Sequence, residues 1–212
     1  MKFNVARINL CTEAEGPHKR MAIWFQGCTI GCPGCCNPEL QEMKEAHILS
    51  LQEIISIAKK SKEENGIEGV TYLGGESTLQ KQLPELSNEF HKVGLGVILF
   101  TGYEIKQLKE SLISSVDLII DGQFVEKKLD QNRNLIGSTN QTFNHISNRY
   151  IDDMDWFMKK RDLQVEVNIS GDLLITGDVV IKKIFRVEEC KHNKYKFKEN
   201  IYAERISTTN IN

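Results

Sequence analysis

From residue 21 to residue 120 the chain alternates short apolar runs with longer stretches whose apolar residues recur at helical spacing. Met21-Ala22-Ile23-Trp24-Phe25 is a continuous apolar run ending at Gln26-Gly27, which predicts a strand buried on both faces. Ser50-Leu51-Gln52-Glu53 reads as a capping box, and Leu51, Ile54, Ile55 and Ala58 continue at helical spacing until Asn65-Gly66 stops the helix. Val70 to Leu73 predicts a strand that runs into Gly74-Gly75-Glu76. Pro84 opens a second helix with Leu83, Leu86, Phe90 and Val93 inward and Gly94 at its end. Val97 to Thr101 is the next strand, Ile105, Leu108, Leu112 and Ile113 the next helix, and Val116 to Ile120 the next strand, closed by Asp121-Gly122. This order is the pattern of parallel βαβ units and predicts an α/β fold, an open, partial barrel.

The flanks read differently. Phe3, Val5, Ile8 and Leu10 predict an N-terminal strand before the Gly16-Pro17 break. Residues 126–141 are polar and rich in Asn and Lys, which predicts a loop. Val165, Val167 and Ile169, then Ser170-Gly171-Asp172, then Leu173-Leu174-Ile175 predict a hairpin, with further strands at Val179–Ile181 and Tyr195–Lys198. Lys191, Lys194, Lys196 and Lys198 interleave with aromatics at strand period, the pattern of a solvated strand face and not of a nucleic-acid patch. The expected division is a core over residues 1–145 and a β-rich C-terminal extension over 146–212.

Composition narrows the class. The 212 residues suffice for one ordinary core, and 27 Lys plus Arg against 29 Asp plus Glu leave a formal charge of −2, without overall attraction to nucleic acid or anionic membrane. No apolar run is long enough to span a bilayer, and residues 1–7 lack the apolar stretch of a signal peptide, so a soluble, cytoplasmic protein is expected. Six cysteines, three of them in one short motif, do not form the framework of a secreted disulfide domain. Cys11 reads as a small half-buried hydrophobe, and His18, His47, His91, His145 and His192 as surface or packing residues.

The chemistry gathers in residues 25–38, Phe-Gln-Gly-Cys-Thr-Ile-Gly-Cys-Pro-Gly-Cys-Cys-Asn-Pro. Cys28, Cys32 and Cys35 can bring three thiolates to one centre, with Gly27, Gly31 and Gly34 permitting the tight path, a spacing that suits an iron–sulfur cluster. Three ligands on a four-iron cluster leave one iron open to a small molecule. With Cys36 the loop holds four thiols, so a structural zinc knuckle is the alternative. Such sites usually draw two separated pairs from two loops, and adjacent Cys35 and Cys36 are poorly disposed to share one ion.

The triplet and its flanks, Trp24 to Cys28 and Cys32 to Pro38, resemble the radical S-adenosylmethionine (SAM) superfamily, and within it most closely the anaerobic ribonucleoside-triphosphate reductase-activating proteins. The resemblance covers roughly residues 1–145 and implies a partial barrel of the radical SAM type. It also implies one 4Fe-4S cluster on Cys28, Cys32 and Cys35, SAM chelated at the open iron, and reductive cleavage of SAM to methionine and a 5′-deoxyadenosyl radical. Gly74, Gly75 and Glu76 match the Gly-Gly-Glu segment that contacts the methionine amino group. Thr101, in a Thr-Gly-Tyr that the activating proteins share, is placed at the cofactor's carboxylate or ribose, or at the cap of the following helix. Asp121, in Asp-Gly-x-Phe, matches a further family segment and is expected among the cofactor contacts; the stretch Gly137-Ser138-Thr139-Asn140-Gln141 matches another, without an assigned role. Three positions depart from the pattern: Cys36 stands where Tyr or Phe is common, leaving adenine to backbone contacts at Gly34 and Cys36; Ser77 replaces a frequent Pro; Gln123 replaces a Lys found in some activases.

The implied activity is hydrogen abstraction from a backbone glycine of a glycyl radical enzyme such as anaerobic ribonucleotide reductase, with an electron donor such as flavodoxin or ferredoxin. Radical SAM modification of a peptide or small molecule, and a non-catalytic metal-binding or electron-transfer module, are the alternatives. The last is disfavoured because an electron carrier is better served by a fully ligated cluster.

Overall fold

The computed structural model describes residues 1–159 and the strands Val165–Ser170 and Asp172–Gly177. The chain divides into two compact units, Met1–Asp162 and Leu163–Asn212. In the first unit the strands are β1 (Lys2–Thr12), β2 (Arg20–Phe25), β3 (His47–Ser50), β4 (Gly69–Gly74), β5 (Gly96–Phe100), β6 (Leu118–Asp121) and β7 (Thr142–His145). Its helices are α1 (Leu51–Asn65), α2 (Leu83–Lys92), α3 (Glu110–Ile113) and α4 (Met154–Phe157). The strands form one sheet in the order β3-β1-β2-β4-β5-β6-β7, which is not closed on itself. β2, β4, β5 and β6 are parallel neighbours, whereas β1, β3 and β7 join antiparallel.

Because the parallel strands follow one another without reversal, connections of one hand keep α1, α2 and α3 on one face. One apolar cluster shows this: Met21, Ile23 and Phe25 of β2, Val70 and Tyr72 of β4, Val97 and Leu99 of β5 and Ile119 of β6 pack with Ile54, Ala58, Leu83, Leu86, Phe90 and Leu112 from the helices. The intervening strand residues face the other way. There Ala22 and Trp24 meet Leu40, while Ile98, Leu118 and Ile120 meet Ile136, Tyr150 and Phe157. Tyr150 and Phe157 thus belong to the first unit although they lie past residue 145. At the start of β2, Arg20 is fully buried and donates to Thr71 Oγ1 (2.8 Å), Glu68 Oε2 (3.0 Å), Tyr150 Oη (2.9 Å) and the Val70 carbonyl (2.9 Å).

Local signals explain the elements. Ser50 Oγ accepts from the Glu53 N–H while Glu53 Oε2 accepts from the Ser50 N–H, and Gly66, at φ +70°, ends α1. Pro84 sits in the first turn of α2. Three expectations are corrected. β1 shifts register between Val5 and Arg7 and again between Asn9 and Thr12, so the inward parity changes along it: Asn9 and Thr12 are buried and Leu10 is exposed. The single helix expected over residues 105–113 is a 3-10 turn, Ile105–Gln107, followed by the four-residue α3. Two antiparallel edge strands, β3 and β7, were not expected, because the polar segments that carry them conceal their periodicity.

In the second unit β8 (Val165–Ser170) pairs antiparallel with β9 (Asp172–Gly177), from Val165 opposite Gly177 to Ser170 opposite Asp172, the expected hairpin. The strands expected at 179–181 and 195–198, together with Cys190 and His192, lie outside the described residues.

Candidate functional site

The four parallel strands end along one edge, where their last residues meet the cysteine loop. β2 pairs with β4 up to Phe25 opposite Gly74. Beyond that pair the Gly75 N–H donates to the Phe25 carbonyl (2.9 Å) and the Glu76 N–H to the Gly27 carbonyl (2.8 Å). On the other side, Gly27 N donates to the Leu40 carbonyl and Cys28 N to the Gln41 carbonyl (2.9 and 3.1 Å). The loop is therefore closed at its base, with Cys28 at the mouth and Cys32, Cys35 and Cys36 on the excursion. A Cβ on Gly75 would lie 2.2 Å from Gly27 O and 2.6 Å from Leu40 O, and one on Gly74, at φ +122°, 2.3 Å from Phe25 N. What the two glycines admit here is the chain itself, where three backbone segments converge.

Cys28, Cys32, Cys35 and Cys36 are half-buried, and none is in a disulfide. Ile30 N donates to Cys28 Sγ and Asn37 N to Cys35 Sγ, both at 3.4 Å, and Asn37 Nδ2 donates to Cys36 Sγ at 3.4 Å. The Cys36 thiol, with the Asn37 N–H and the Gln41 side chain, pulls the Cys35 thiol down to about 6 against burial and Glu39. Burial pushes the Cys32 thiol up; the Phe124 N–H and the Gln123 side chain oppose it, and Cys35 and Cys28 add to the rise. The thiols thus sense one another and carry N–H donors suited to thiolates. Among the described residues no three His, Cys, Asp or Glu side chains converge to hold a single metal ion. A four-iron cube gives each thiolate its own iron and so does not require that convergence, and the soft, three-sulfur donor set fits it.

Glu76 is 1 % exposed. Its Oε1 accepts from Thr78 N (3.1 Å), Thr78 Oγ1 (2.6 Å) and Thr101 Oγ1 (2.8 Å), and its Oε2 from Gly102 N (2.9 Å). The carboxylate thus ties the end of β4 to the end of β5. Thr101 Oγ1 also accepts from Tyr103 N (3.1 Å), the local role foreseen for that hydroxyl. Tyr103 reaches back to the cysteine loop, its hydroxyl 3.2 Å from Thr29 Oγ1. Asp121, buried at the end of β6, accepts from Ile105 N at 2.7 Å and from the Thr142 hydroxyl.

Residues 122–126 form the remaining wall. A Cβ on Gly34, at φ +72°, would lie 2.8 Å from Glu126 Cδ. Behind this wall Gln141 Nε2 donates to the Gly122 carbonyl (2.9 Å) and Asn140 Nδ2 to the Gln123 carbonyl (2.8 Å). Gln41, Tyr103 and Gln123 escaped the sequence reading as site residues, because an uncharged side chain carries no spacing signal of its own; the shared Thr-Gly-Tyr segment and the departure at Gln123 were the visible traces. Three histidines have partners of their own: His91 Nε2 pairs with Asp117 (2.9 Å), His18 Nε2 with Asp153 (3.0 Å), and His145 Nε2 lies 3.1 Å from Met154 Sδ.

Among the described residues no helix is long and apolar enough to cross a membrane. The family model for a 4Fe-4S single cluster domain matches residues 14–144. The chain is similar to the anaerobic ribonucleoside-triphosphate reductase-activating protein of Enterobacteria phage T4, 28% identical over 145 residues, covering 66% of this chain and 92% of that protein. It is similar also to the activating proteins of Escherichia coli K12 (25% over 143 residues; 62% and 92%) and Vibrio cholerae (24% over 144 residues; 63% and 92%). With the cysteine loop, all four parallel strands and the 122–141 wall inside the matched span, the chain belongs to the 4Fe-4S single cluster domain family.

Proposed function

We propose that the protein is a radical SAM enzyme that activates a glycyl radical enzyme, an anaerobic ribonucleotide reductase, by removing hydrogen from one of its backbone glycines. The observation that supports this reading is the joining of the three-cysteine loop to the neighbouring strand end through Gly75 and Glu76, which brings the motif glycines and carboxylate against the loop that carries the three thiols. The names of the similar proteins support the choice of partner. When bound, a reduced four-iron cluster with one open iron supplies the electron that cleaves SAM to methionine and a 5′-deoxyadenosyl radical.

Cys28, Cys32 and Cys35 would hold the cluster. Gly74, Gly75 and Glu76 would meet the methionine amino group, Thr101 the carboxylate or ribose, Gly34 and Cys36 the adenine, and Asp121 would hold the end of the fourth strand in place around the cofactor. Glu76 contributes negative charge and at the same time keeps Thr101 and Gly102 in position through its hydrogen bonds. Thr29 and Tyr103, in hydrogen-bonding contact between the cysteine loop and the end of β5, would border the cofactor. The reaction needs no general base, and His18 and His91 are engaged with Asp153 and Asp117. An electron donor such as flavodoxin or ferredoxin would supply the electron.

Anaerobic reconstitution with iron and sulfide tests the ligand set. Wild type and the Cys11→Ala, Cys36→Ala and Cys190→Ala variants are expected to take up about four irons each, and Cys28→Ala, Cys32→Ala and Cys35→Ala to lose the cluster. A requirement for Cys36 equal to that for Cys32 would contradict three-cysteine ligation.

A further inference from the structure

We infer that Arg7 is a positioning residue for the cysteine loop: held over the Trp24 ring, it fixes the Asn37 side chain, and Asn37 in turn aims its N–H groups at the sulfurs of Cys35 and Cys36, so that the reduction potential of the centre on Cys28, Cys32 and Cys35 depends on Arg7 through Asn37. The inference rests on the cluster reading above and concerns two residues which that reading leaves without a role.

The register shift in β1 places Arg7. Val5 stands opposite Phe25 but Arg7 opposite Trp24, so β1 accommodates one extra residue between them, and the bulge turns Arg7 onto the face that Trp24 shares with Ala22 and Leu40. Trp24 is 2 % exposed, and the guanidinium carbon of Arg7 lies 4.4 Å from its ring centroid, a cation held over a fixed ring. Arg7 Nη2 donates to Asn37 Oδ1 at 3.1 Å. Arg7 Nε is buried without a hydrogen-bond partner and the exposed Glu39 comes only to 4.0 Å of Nη1, so the guanidinium holds chiefly to Asn37. A guanidinium only donates, which turns the oxygen of the Asn37 amide toward Arg7 and leaves its NH2 for Cys36 Sγ at 3.4 Å. The backbone of Asn37 donates from N to Cys35 Sγ (3.4 Å) and accepts at its carbonyl from Leu40 N (3.1 Å), and Leu40 packs with Trp24. Every polar group of Asn37 is thus engaged, in a circuit that starts and ends at Trp24.

Hydrogen bonds to the sulfurs help to set the potential of an iron–sulfur centre. Reduction adds negative charge that is shared with the ligating sulfurs, so the Asn37 N–H on Cys35 stabilises the reduced form more than the oxidised one. The Asn37 amide meets no proposed ligand itself. Gripped by Arg7 on one side and Cys36 on the other, it keeps residue 37 turned so that its N–H meets Cys35. Released from that grip, the N–H loses its fixed aim and the potential falls. The positive charge of Arg7 would raise the potential whatever Asn37 does, and a double-mutant cycle separates that direct effect from one carried by Asn37.

The test is an electron paramagnetic resonance-monitored redox titration of the full chain, reconstituted without oxygen, in wild type, Arg7→Met, Asn37→Leu and the double variant, with circular dichroism of the apoproteins and iron content as checks on folding and loading. Each single variant is expected to shift the midpoint to more negative values, and the double variant to match Asn37→Leu alone. A double variant whose shift is the sum of the two single shifts overturns the proposal, because Arg7 then acts by its charge and not through Asn37. An Arg7→Met midpoint equal to wild type overturns it as well. Asn37→Leu leaves the Arg7–Trp24 contact in place and decides the matter even if Arg7→Met fails to fold: a midpoint equal to wild type in this variant removes Asn37 from the account. A wild-type chain that takes up no cluster overturns the cluster reading and this inference with it, an outcome distinct from equal midpoints.

Discussion

Glu76 Oε1 accepts the Thr101 hydroxyl hydrogen at 2.8 Å, with both side chains buried at adjacent strand ends. A buried carboxylate is tolerated only when its lone pairs are filled, and here Thr78 and Gly102 supply the remaining donors. Glu76→Gln keeps the size but turns an amide NH2 toward groups that are themselves donors. We expect a loss of about 1–3 kcal/mol, read from urea unfolding of the apoprotein. Thr101→Val, which removes one hydroxyl, is expected to cost about 1 kcal/mol. Unchanged midpoints in both would contradict the claim that this carboxylate joins the two strand ends.

The packing at Gly75 predicts a second contrast. Gly75→Ala would drive a methyl group against the Gly27 and Leu40 carbonyl oxygens, backbone atoms that cannot swing aside. The expected cost is about 2 kcal/mol or more. Gly66→Ala is the control: at φ +70° it meets nothing within 4 Å, so only the left-handed backbone is penalised, by about 1 kcal/mol. Equal costs at the two sites would remove the argument that the cysteine loop and the end of β4 are packed backbone to backbone.

Acid stability follows from Asp117. Burial opposes its ionisation, but hydrogen bonds with His91 Nε2 (2.9 Å), Ser147 Oγ (2.6 Å) and Val97 N (2.8 Å) prevail and hold the carboxyl below its ordinary value of 3.8. Arg149, from the segment after β7, adds its charge nearby. A group depressed in the folded state binds its proton more readily in the unfolded one, so its stabilisation is complete above the unfolded value and is lost as pH falls through the folded value. Stability measured by denaturant between pH 5 and pH 2 should therefore fall less steeply in Asp117→Asn than in wild type, with Asp130, held low by Arg133 and two backbone N–H groups, supplying part of the remaining slope. Equal slopes would contradict this assignment.

Much of the frame was legible because it depends on local signals. The Ser50–Glu53 box, the Gly66 stop and the apolar runs of β2, β4, β5 and β6 each carry their cause within a few residues. β3 and β7 were hidden because an edge strand with polar residues carries little periodicity, and their pairing comes from distant partners, Phe3 with Leu49 and Ile120 with Phe143. In β1 the step from Val5 to Ile8 already breaks strict alternation, a trace of the register shift that leaves Leu10 exposed. At the site, the cysteine spacing and the glycine pair could be read directly. The turning of Glu76 toward Thr101 could not, since it depends on which strand ends become neighbours.

The central claim is that three thiols on one loop hold a centre able to cleave SAM, and product analysis tests it most directly. Cluster-loaded protein, reduced with dithionite and given SAM in the absence of oxygen, is expected to form 5′-deoxyadenosine and methionine, detected by liquid chromatography, with none from Cys32→Ala. Cluster-loaded wild type that leaves SAM intact would contradict the account.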